Sequence, residues 1–402
     1  MFGKAVLIGF LVAPWNATAI HLADRPSRLE SFLHGTPRKI EALLVRSLLE
    51  TTQGKLDAAL SDIDAVIRAV PNFKLAHLVR GDLLQAKARR LTDFGDAPNA
   101  PNDEIADFRD EARVRLERYL SREDEPSRPD YLWKLDASQQ HAIVVDASRS
   151  RLYVYSNDNG TPRYMTDYYI TVGKNGSEKQ KEGDKRTPLG VYFASQQLPR
   201  NKLPDFYGSA AYPLSYPNEW DRHQGKNGHG IWLHGTPSTT YSRPPRASDG
   251  CVVLANPDIS ALAPILREGN IPVVITAGSA VPPDQVRKHR EQLIKALEDW
   301  RSDWERQDTE QYLARYSQEF FGGGKDFNAW AAEKRRIQQA KTKARITLSN
   351  VSIFRYPDSR QQMAIVSFTQ EFKSDRLDNR MRKRQYWLLD NGQWKILYEG
   401  AA

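Results

Sequence analysis

The period of the apolar residues switches twice along this chain, and each switch sets what the next segment can fold into. Residues 41–85 carry apolar residues at helical spacing, with Gly54, Ala59, Pro71, Ala76 and Gly81 where two helices would pack closely and stop. Residues 103–120 continue as a charged helix. At His141 the period drops to two: residues 142–146 and 151–155 flank Ala147-Ser148-Arg149-Ser150, a hairpin signature. Further short β segments at 168–172, 190–194, 230–233, 251–254 and 271–276 predict a mainly β domain with long loops. Helical spacing returns at Leu293, Leu297, Trp300 and Trp304, a stripe read as core, and strands follow at 344–356, 362–373, 382–389 and 394–398. Helices followed by a curved antiparallel sheet predict an α+β cone. Gly322-Gly323-Gly324-Lys325 lacks the spacing and the Ser/Thr of a phosphate-binding loop and reads as a turn.

A chain of 402 residues is too long for one ordinary core. The expected partition is an export signal at 1–19, a helical domain with its linker at 20–130, the β-rich domain at 131–277 and the α+β domain at 284–402. The first segment has one lysine, an uncharged apolar run from Ala5 to Trp15, and small residues before a cut after Ala19. That run is too short to span a bilayer, which takes ~20 residues, so no transmembrane segment is expected after cleavage. Residues 91–103 and 277–283 read as linkers. A net charge of +8 favours an anionic partner, and export argues against nucleic acid. The basic runs 380–384 and 334–336 read as solvated faces of a strand and a helix. The first helical pair resembles one tetratricopeptide-type unit, a docking or dimerisation module; an amphipathic hairpin without a partner fits the pattern equally well.

Cys251 is the single cysteine, so neither an intrachain disulfide nor a cysteine-based metal cluster can form. A lone thiol in an oxidising compartment is either buried or used. Here Gly230-Ile231-Trp232-Leu233-His234-Gly235-Thr236 delivers a histidine from a strand, and Arg246-Ala247-Ser248-Asp249-Gly250-Cys251 opens the next strand with a thiol between small residues. A cysteine nucleophile needs a base within hydrogen-bond reach, and His234 supplies one. Gly250 allows close approach of a substrate, the Gly250 and Cys251 amides are candidate oxyanion donors, and Ser248 can position the loop or the imidazole. His223, His229 and His234 lack the i, i+4 spacing of helical metal ligands, so no metal is expected.

These residues resemble the L,D-transpeptidase (YkuD-type) catalytic domain, marked by His-Gly on one strand and Ser-x-Gly-Cys shortly after. Ser248 and Cys251 lie 14 and 17 residues beyond His234. Val172-Gly173-Lys174 and Arg186-Thr187-Pro188-Leu189-Gly190-Val191-Tyr192 look like that family's Gly-Lys loop and Thr-Pro-x-Gly-x-aromatic strand. The resemblance implies that Cys251 attacks the third residue of a peptidoglycan stem tetrapeptide, usually meso-diaminopimelate, and expels D-alanine. The acyl group then passes to an amine. His234 would act as base and acid, oriented by a backbone carbonyl, and no cofactor is implied.

Two positions depart from the family pattern: Asp249 stands where a histidine is common, and Val253 where an arginine usually clamps a carboxylate. A carboxylate facing the thiol would raise its pKa, so Asp249 is expected to point away or to bind an amine or the imidazolium. With its helical start and C-terminal cone, the chain resembles the subgroup bearing a nuclear-transport-factor-2-like tail, which includes L,D-carboxypeptidases that influence cell shape. Water is therefore an alternative acceptor, and a non-catalytic wall-binding scaffold is a further alternative. Substrate contacts are expected from Gly235, Thr236, His229 and Asp249. Tyr216 and Trp220 join them on a Pro/Gly-broken loop, with Tyr207 and Tyr212, that either packs ordinarily or closes as a lid. Arg222, Lys226, Arg243 and Arg246 are candidates to replace the missing arginine. The helical or C-terminal domain is the expected site for a second copy or a wall protein.

Overall fold

The computed structural model describes residues 36–89, 91, 94–95, 102–120, 130–278, 281–339, 344–357, 360–375 and 377–402. The export segment expected at 1–19 and most of the linker expected at 91–103 lie outside these residues. Four helices come first: α1 (Thr36–Thr52), α2 (Leu56–Ala69), α3 (Lys74–Ala88) and α4 (Asn102–Leu120). Gly54 ends α1 with φ +72°, while Gly54 N–H donates to Thr51 O at 3.1 Å and Lys55 N–H to Glu50 O at 2.9 Å. This left-handed stop favours glycine because a Cβ would meet the backbone. Ala59, Ile63 and Val66 of α2 share a buried cluster with Phe73 and with Leu75, Ala76 and Val79 of α3. Gly81, expected at a close helix contact, has open space where a Cβ would stand. Ala112 of α4 and two residues of the next domain, Tyr241 and Ala255, complete that cluster.

The middle of the chain runs β1 (Leu132–Lys134), β2 (His141–Asp146), β3 (Arg151–Asp158), β4 (Thr161–Tyr169), β5 (Val172–Gly173), β6 (Gly190–Ala194), β7 (Ala211–Pro213), α5 (Glu219–His223), β8 (Trp232–His234), β9 (Arg246–Ser248), β10 (Val252–Val253), α6 (Asn256–Leu266) and β11 (Ile271–Thr276). Its main sheet has the order β4-β3-β2-β11-β6, a smaller sheet has β10-β8-β7, and β5 pairs with β9. Leu233, Val252 and Leu254 of the small sheet, Ile143 and Val145 of β2, and Ile259 and Leu262 of α6 meet in one core. The apolar run of β2 is continuous because both its faces are covered: Ala142 and Val144 belong to a second cluster shared with the C-terminal domain.

The C-terminal domain follows as α7 (Pro283–Glu305), α8 (Thr309–Ala314), β12 (Tyr316–Gly322), β13 (Lys325–Asp326), α9 (Phe327–Gln338), β14 (Ala344–Tyr356), β15 (Met363–Ser374), β16 (Asp378–Asp390) and β17 (Gln393–Ala401). One sheet, ordered β1-β14-β15-β16-β17-β12-β13, carries all its strands, and Gly323-Gly324 is the turn between β12 and β13. Leu293, Leu297 and Trp300 of α7 are buried against Phe368, Trp387 and Ile396 of that sheet. The architecture is thus N-terminal helices, a β-rich domain and an α+β domain.

Strand β1, numbered within the β-rich segment, pairs antiparallel with β14 of the C-terminal sheet. On the same seam Val144, Val191, Phe193 and Val274 pack with Phe354, Tyr356, Ile365 and Tyr386. The basic run at 380–384 is largely part of this architecture and not a solvated face. Arg382 reaches Asp136 at 3.3 Å, Lys383 pairs with the buried Glu399 at 2.6 Å, and Arg384 bonds Glu219 at 3.1 Å. Arg380 alone of these cations stays exposed, 3.6 Å from Glu371. In the other run, Lys334 lies 4.0 Å over the Trp330 ring, while Arg335 and Arg336 remain exposed.

Candidate active site

Parallel pairing of β8 with β10 sets Leu233 opposite Val252 and His234 opposite Val253. Alternation then turns Leu233, Val252 and Leu254 into the core and brings Trp232, His234 and Cys251 to the other face. Cys251 and His234 are diagonal neighbours there, one strand across and two residues along. Strand spacing of about 4.8 Å and a rise of about 3.3 Å per residue put their side chains within mutual reach. Cys251 is half-buried, and its Sγ lies 3.3 Å from the Gly230 carbonyl. His234 is buried except for 1 % of its surface, with Nδ1 2.6 Å from the Gly235 carbonyl. A carbonyl only accepts, so Nδ1 carries the proton and Nε2 keeps its lone pair.

The loop before the thiol is braced from within. Ser248 Oγ donates to the Cys251 carbonyl at 2.6 Å and accepts from the Gly250 amide at 3.1 Å. The oxyanion role expected of the Gly250 N–H therefore meets an amide already engaged, and the Cys251 amide is the remaining candidate. Thr187, fully buried, donates to the Gly250 carbonyl at 3.0 Å and accepts from the Gly173 amide at 2.9 Å, tying the loop to β5. Gly250 itself sits at φ +126°, and a Cβ there would stand 2.8 Å from Arg186 O.

Burial holds the His234 imidazole down at about 4, opposed by the Gly235 carbonyl and reinforced by the nearby Arg243 guanidinium. Burial also pushes the Cys251 thiol up to about 11, although the Trp232 amide pulls the other way. At neutral pH the site therefore holds a thiol and an unprotonated imidazole, the state in which the ring can accept a proton. Asp249 is exposed and lies 3.6 Å from the Lys174 ammonium, so it engages an amine of the protein itself; its charge still adds to the rise at the thiol.

The other sequence candidates scatter. Thr236 is buried, its hydroxyl donating to Tyr241 O at 3.2 Å, and Gly235 packs against Asn256. His229 is exposed, turned toward Glu182 at 3.7 Å. Tyr216 and Trp220 are not lid residues. Tyr216 is buried in the β core with its hydroxyl donating to Asn227 O at 3.0 Å, and Trp220 is buried in the seam, stacked on His223 at 5.3 Å. His223 in turn stacks on Phe321 at 3.7 Å, away from His229 and His234. Among the described residues no group of His, Cys, Asp or Glu is placed to hold a metal ion. Of the loop tyrosines Tyr207 reaches the pair, its ring 5.1 Å from His234 and 4.6 Å from Trp232.

Sequence reasoning missed Phe206, which is 48 % exposed and 6.0 Å from His234. It also missed Asn256 at the start of α6. That side chain accepts from the Ser209 amide at 2.8 Å and donates to Thr236 O at 2.8 Å, so it joins the Phe206–Tyr207 segment to the turn that holds His234. An apolar ring exposed in a Pro-Asp-Phe-Tyr-Gly loop was the available signal for Phe206; an asparagine opening a helix carries no comparable one.

Residues 140–275 match the L,D-transpeptidase catalytic domain model, YkuD, and residues 292–400 match the Cds6 C-terminal NTF2-like domain. Among solved structures, the chain resembles Bd1075 of Bdellovibrio bacteriovorus at 29 % identity and a TM-score of 0.60, over 68 % of this chain and 98 % of that one. It also resembles the helical cell shape determining protein Pgp2 of Campylobacter jejuni at 27 % identity and a TM-score of 0.59, over 67 % of this chain and 94 % of that one. No curated protein sequence matches the chain. The catalytic-domain family acts on peptidoglycan, which implies a cell-envelope location. The chain therefore joins an L,D-transpeptidase catalytic domain of the YkuD family to a Cds6-type C-terminal NTF2-like domain.

Proposed function

We propose that the protein is an exported L,D-transpeptidase acting through a cysteine acyl-enzyme on peptidoglycan stem tetrapeptides. The observation that carries this reading is the parallel register of β8 and β10, with the only thiol and an Nδ1-protonated imidazole on the face of the small sheet turned away from the core. Cys251 is the nucleophile. His234 Nε2 takes the thiol proton as the sulfur attacks the carbonyl of the third stem residue, and the Cys251 amide is offered to the developing oxyanion. The C–N bond then breaks, and the imidazolium returns its proton to the departing D-alanine amine. An acceptor amine attacks the thioester, His234 removing a proton from it, and the thiol is restored. Phe206, Tyr207 and Trp232 form an aromatic wall beside the reacting pair.

A defined disaccharide tetrapeptide, with and without an amine acceptor, tests this by product mass. A crosslinked or amine-capped product is expected. Loss of D-alanine alone would assign water as the acceptor and make the protein an L,D-carboxypeptidase. Equal turnover by Cys251→Ala, or none by the wild type, would overturn the acyl-enzyme reading and favour a wall-binding scaffold.

A further inference from the structure

The family's carboxylate-clamping arginine is absent: its position is Val253, apolar and only 2 % exposed. A peptide with a free terminus brings a carboxylate close to the scissile bond, so the site needs another cation. Lys174 is engaged by Asp249 and Lys179 by Asp184 at 2.8 Å. Lys226 is held by the buried Asp221 at 3.1 Å, Arg222 donates to Pro217 O, and Arg246 is exposed. Arg243 differs from all of these. Its side chain is half-buried, no carboxylate lies in ion-pair range of it among the described residues, and its guanidinium carbon stands 4.8 Å over the Phe206 ring. Its charge acts on both reacting groups, lowering the imidazole and the thiol.

The backbone that carries it is clamped on both sides. Arg243 O accepts from Tyr169 Oη at 2.8 Å and from Thr171 Oγ1 at 3.0 Å. The preceding Ser242 donates to Glu111 of α4 at 2.6 Å, and Tyr241 packs 4.6 Å from Phe73 beside α3. The Asp249 carboxylate acts on this guanidinium only from beyond ion-pair range and is itself engaged by Lys174, so a half-buried cation on a clamped backbone is left complementary to an anion that arrives with the ligand.

We propose that Arg243 is the carboxylate clamp of this site, its fork receiving a substrate carboxylate through paired N–H···O bonds while Phe206 supports its face. The inference rests on the peptide-cleaving function above and names what that site recognises. Two substrate groups share the chemistry: the terminal carboxylate of the leaving D-residue, and the side-chain carboxylate of the diamino acid that is attacked.

The lone thiol makes a direct test available. Iodoacetate and iodoacetamide alkylate Cys251 by the same displacement of iodide and differ in the carboxylate, so their rate ratio cancels any change in thiolate fraction. Arg243→Gln is expected to lower the iodoacetate-to-iodoacetamide ratio several-fold; Arg243→Lys keeps part of it, and Arg246→Gln keeps all of it. A ratio unchanged in both Arg243 variants overturns the clamp, whether or not the protein turns over peptides. On tetrapeptides, Arg243→Gln is expected to raise KM roughly 10–100-fold, the worth of a charge-assisted pair, with a smaller effect on kcat. Insensitivity of a C-terminally amidated peptide to the variant assigns the terminal carboxylate; insensitivity of a lysine-containing peptide assigns the side-chain carboxylate. Equal sensitivity of both peptides overturns the clamp. A wild type that converts no peptide removes the functional reading beneath it, and the alkylation ratio then still decides whether Arg243 selects carboxylates.

Discussion

Cys251 and His234 are both held neutral, because burial penalises the charged form of each. A preformed thiolate–imidazolium pair would alkylate at a constant rate across neutral pH. Here the iodoacetamide rate is expected to climb about tenfold per pH unit from pH 6 to 9, since the thiol sits near 11. A plateau centred on pH 7 would contradict this. The acid side follows the imidazole: with His234 held at about 4, the base stays unprotonated well below its ordinary 6.5. kcat/KM should therefore persist to about pH 5, and a fall starting above pH 6 would show that the ring is less shielded than its burial requires. Asn256 illustrates a residue whose importance is invisible locally. Gly235 and Gly208 both approach it so closely that a Cβ on either would collide with its side chain, and this contact sets the turn on which His234 depends.

At the level of elements, the helical segment and the 236–245 loop are one unit. Arg115 of α4 is buried between Glu111 at 2.9 Å and Glu41 at 3.2 Å, and its guanidinium lies 3.8 Å over the Tyr169 ring. Arg151 of β3 also reaches Glu41, and Arg118 reaches Asp167 of β4 at 2.8 Å, so α1 and α4 are tied to the β meander by buried charge. Arg115→Leu would leave two buried carboxylates short of a partner and is expected to cost about 3–5 kcal/mol in chemical denaturation. It should also lower peptide turnover by loosening the loop that carries Arg243. Wild-type stability in this variant would mean the network is solvated and the helices are merely adjacent. Helical character over 41–85 is legible from spacing, although three helices form where the spacing read two, and α6 went unread; the hairpin at 141–155 and the four long C-terminal strands are legible too. Strand β1 is not, because three residues have no period to read and are strand only through pairing with β14, more than 200 residues on. Tyr216 and Trp220 show the same limit. An aromatic residue in a Pro/Gly-broken loop looks alike whether it faces a substrate or a core, and here their burial is set by Tyr192 and Phe321.

On the scale of the molecule, the β-rich and C-terminal domains share a hydrophobic seam and so should not unfold independently. Phe354 is fully buried there, 6.4 Å from Phe193 of β6. Phe354→Ala is expected to cost about 3–5 kcal/mol through lost burial and the cavity left behind. Near-ultraviolet circular dichroism and tryptophan fluorescence should shift together in the denaturation curve, because both domains lose the same contact. Two separate transitions in the wild type would show that the seam does not couple them. Polar contacts rim the seam: Glu219 accepts from Arg384 at 3.1 Å and from Tyr386 Oη at 2.8 Å. Among the described residues no helix is long and apolar enough to cross a membrane.

Sequence by itself determined the periods of most elements, their three-part order, and a histidine ending one strand with the only cysteine at the opening of another. These properties depend on spacing over a few residues, where backbone geometry alone dictates which side chains share a face. Tertiary structure alone decided that the Gly250 amide is already engaged, that a basic strand braces a seam, and that Arg243 stands over Phe206 beside the thiol. Each of the last two rests on contacts between distant parts of the chain, such as Ser242 with Glu111 across 131 residues and Arg384 with Glu219 across 165. No local pattern encodes such a contact, because the same side chain is equally at home in water until another element covers it.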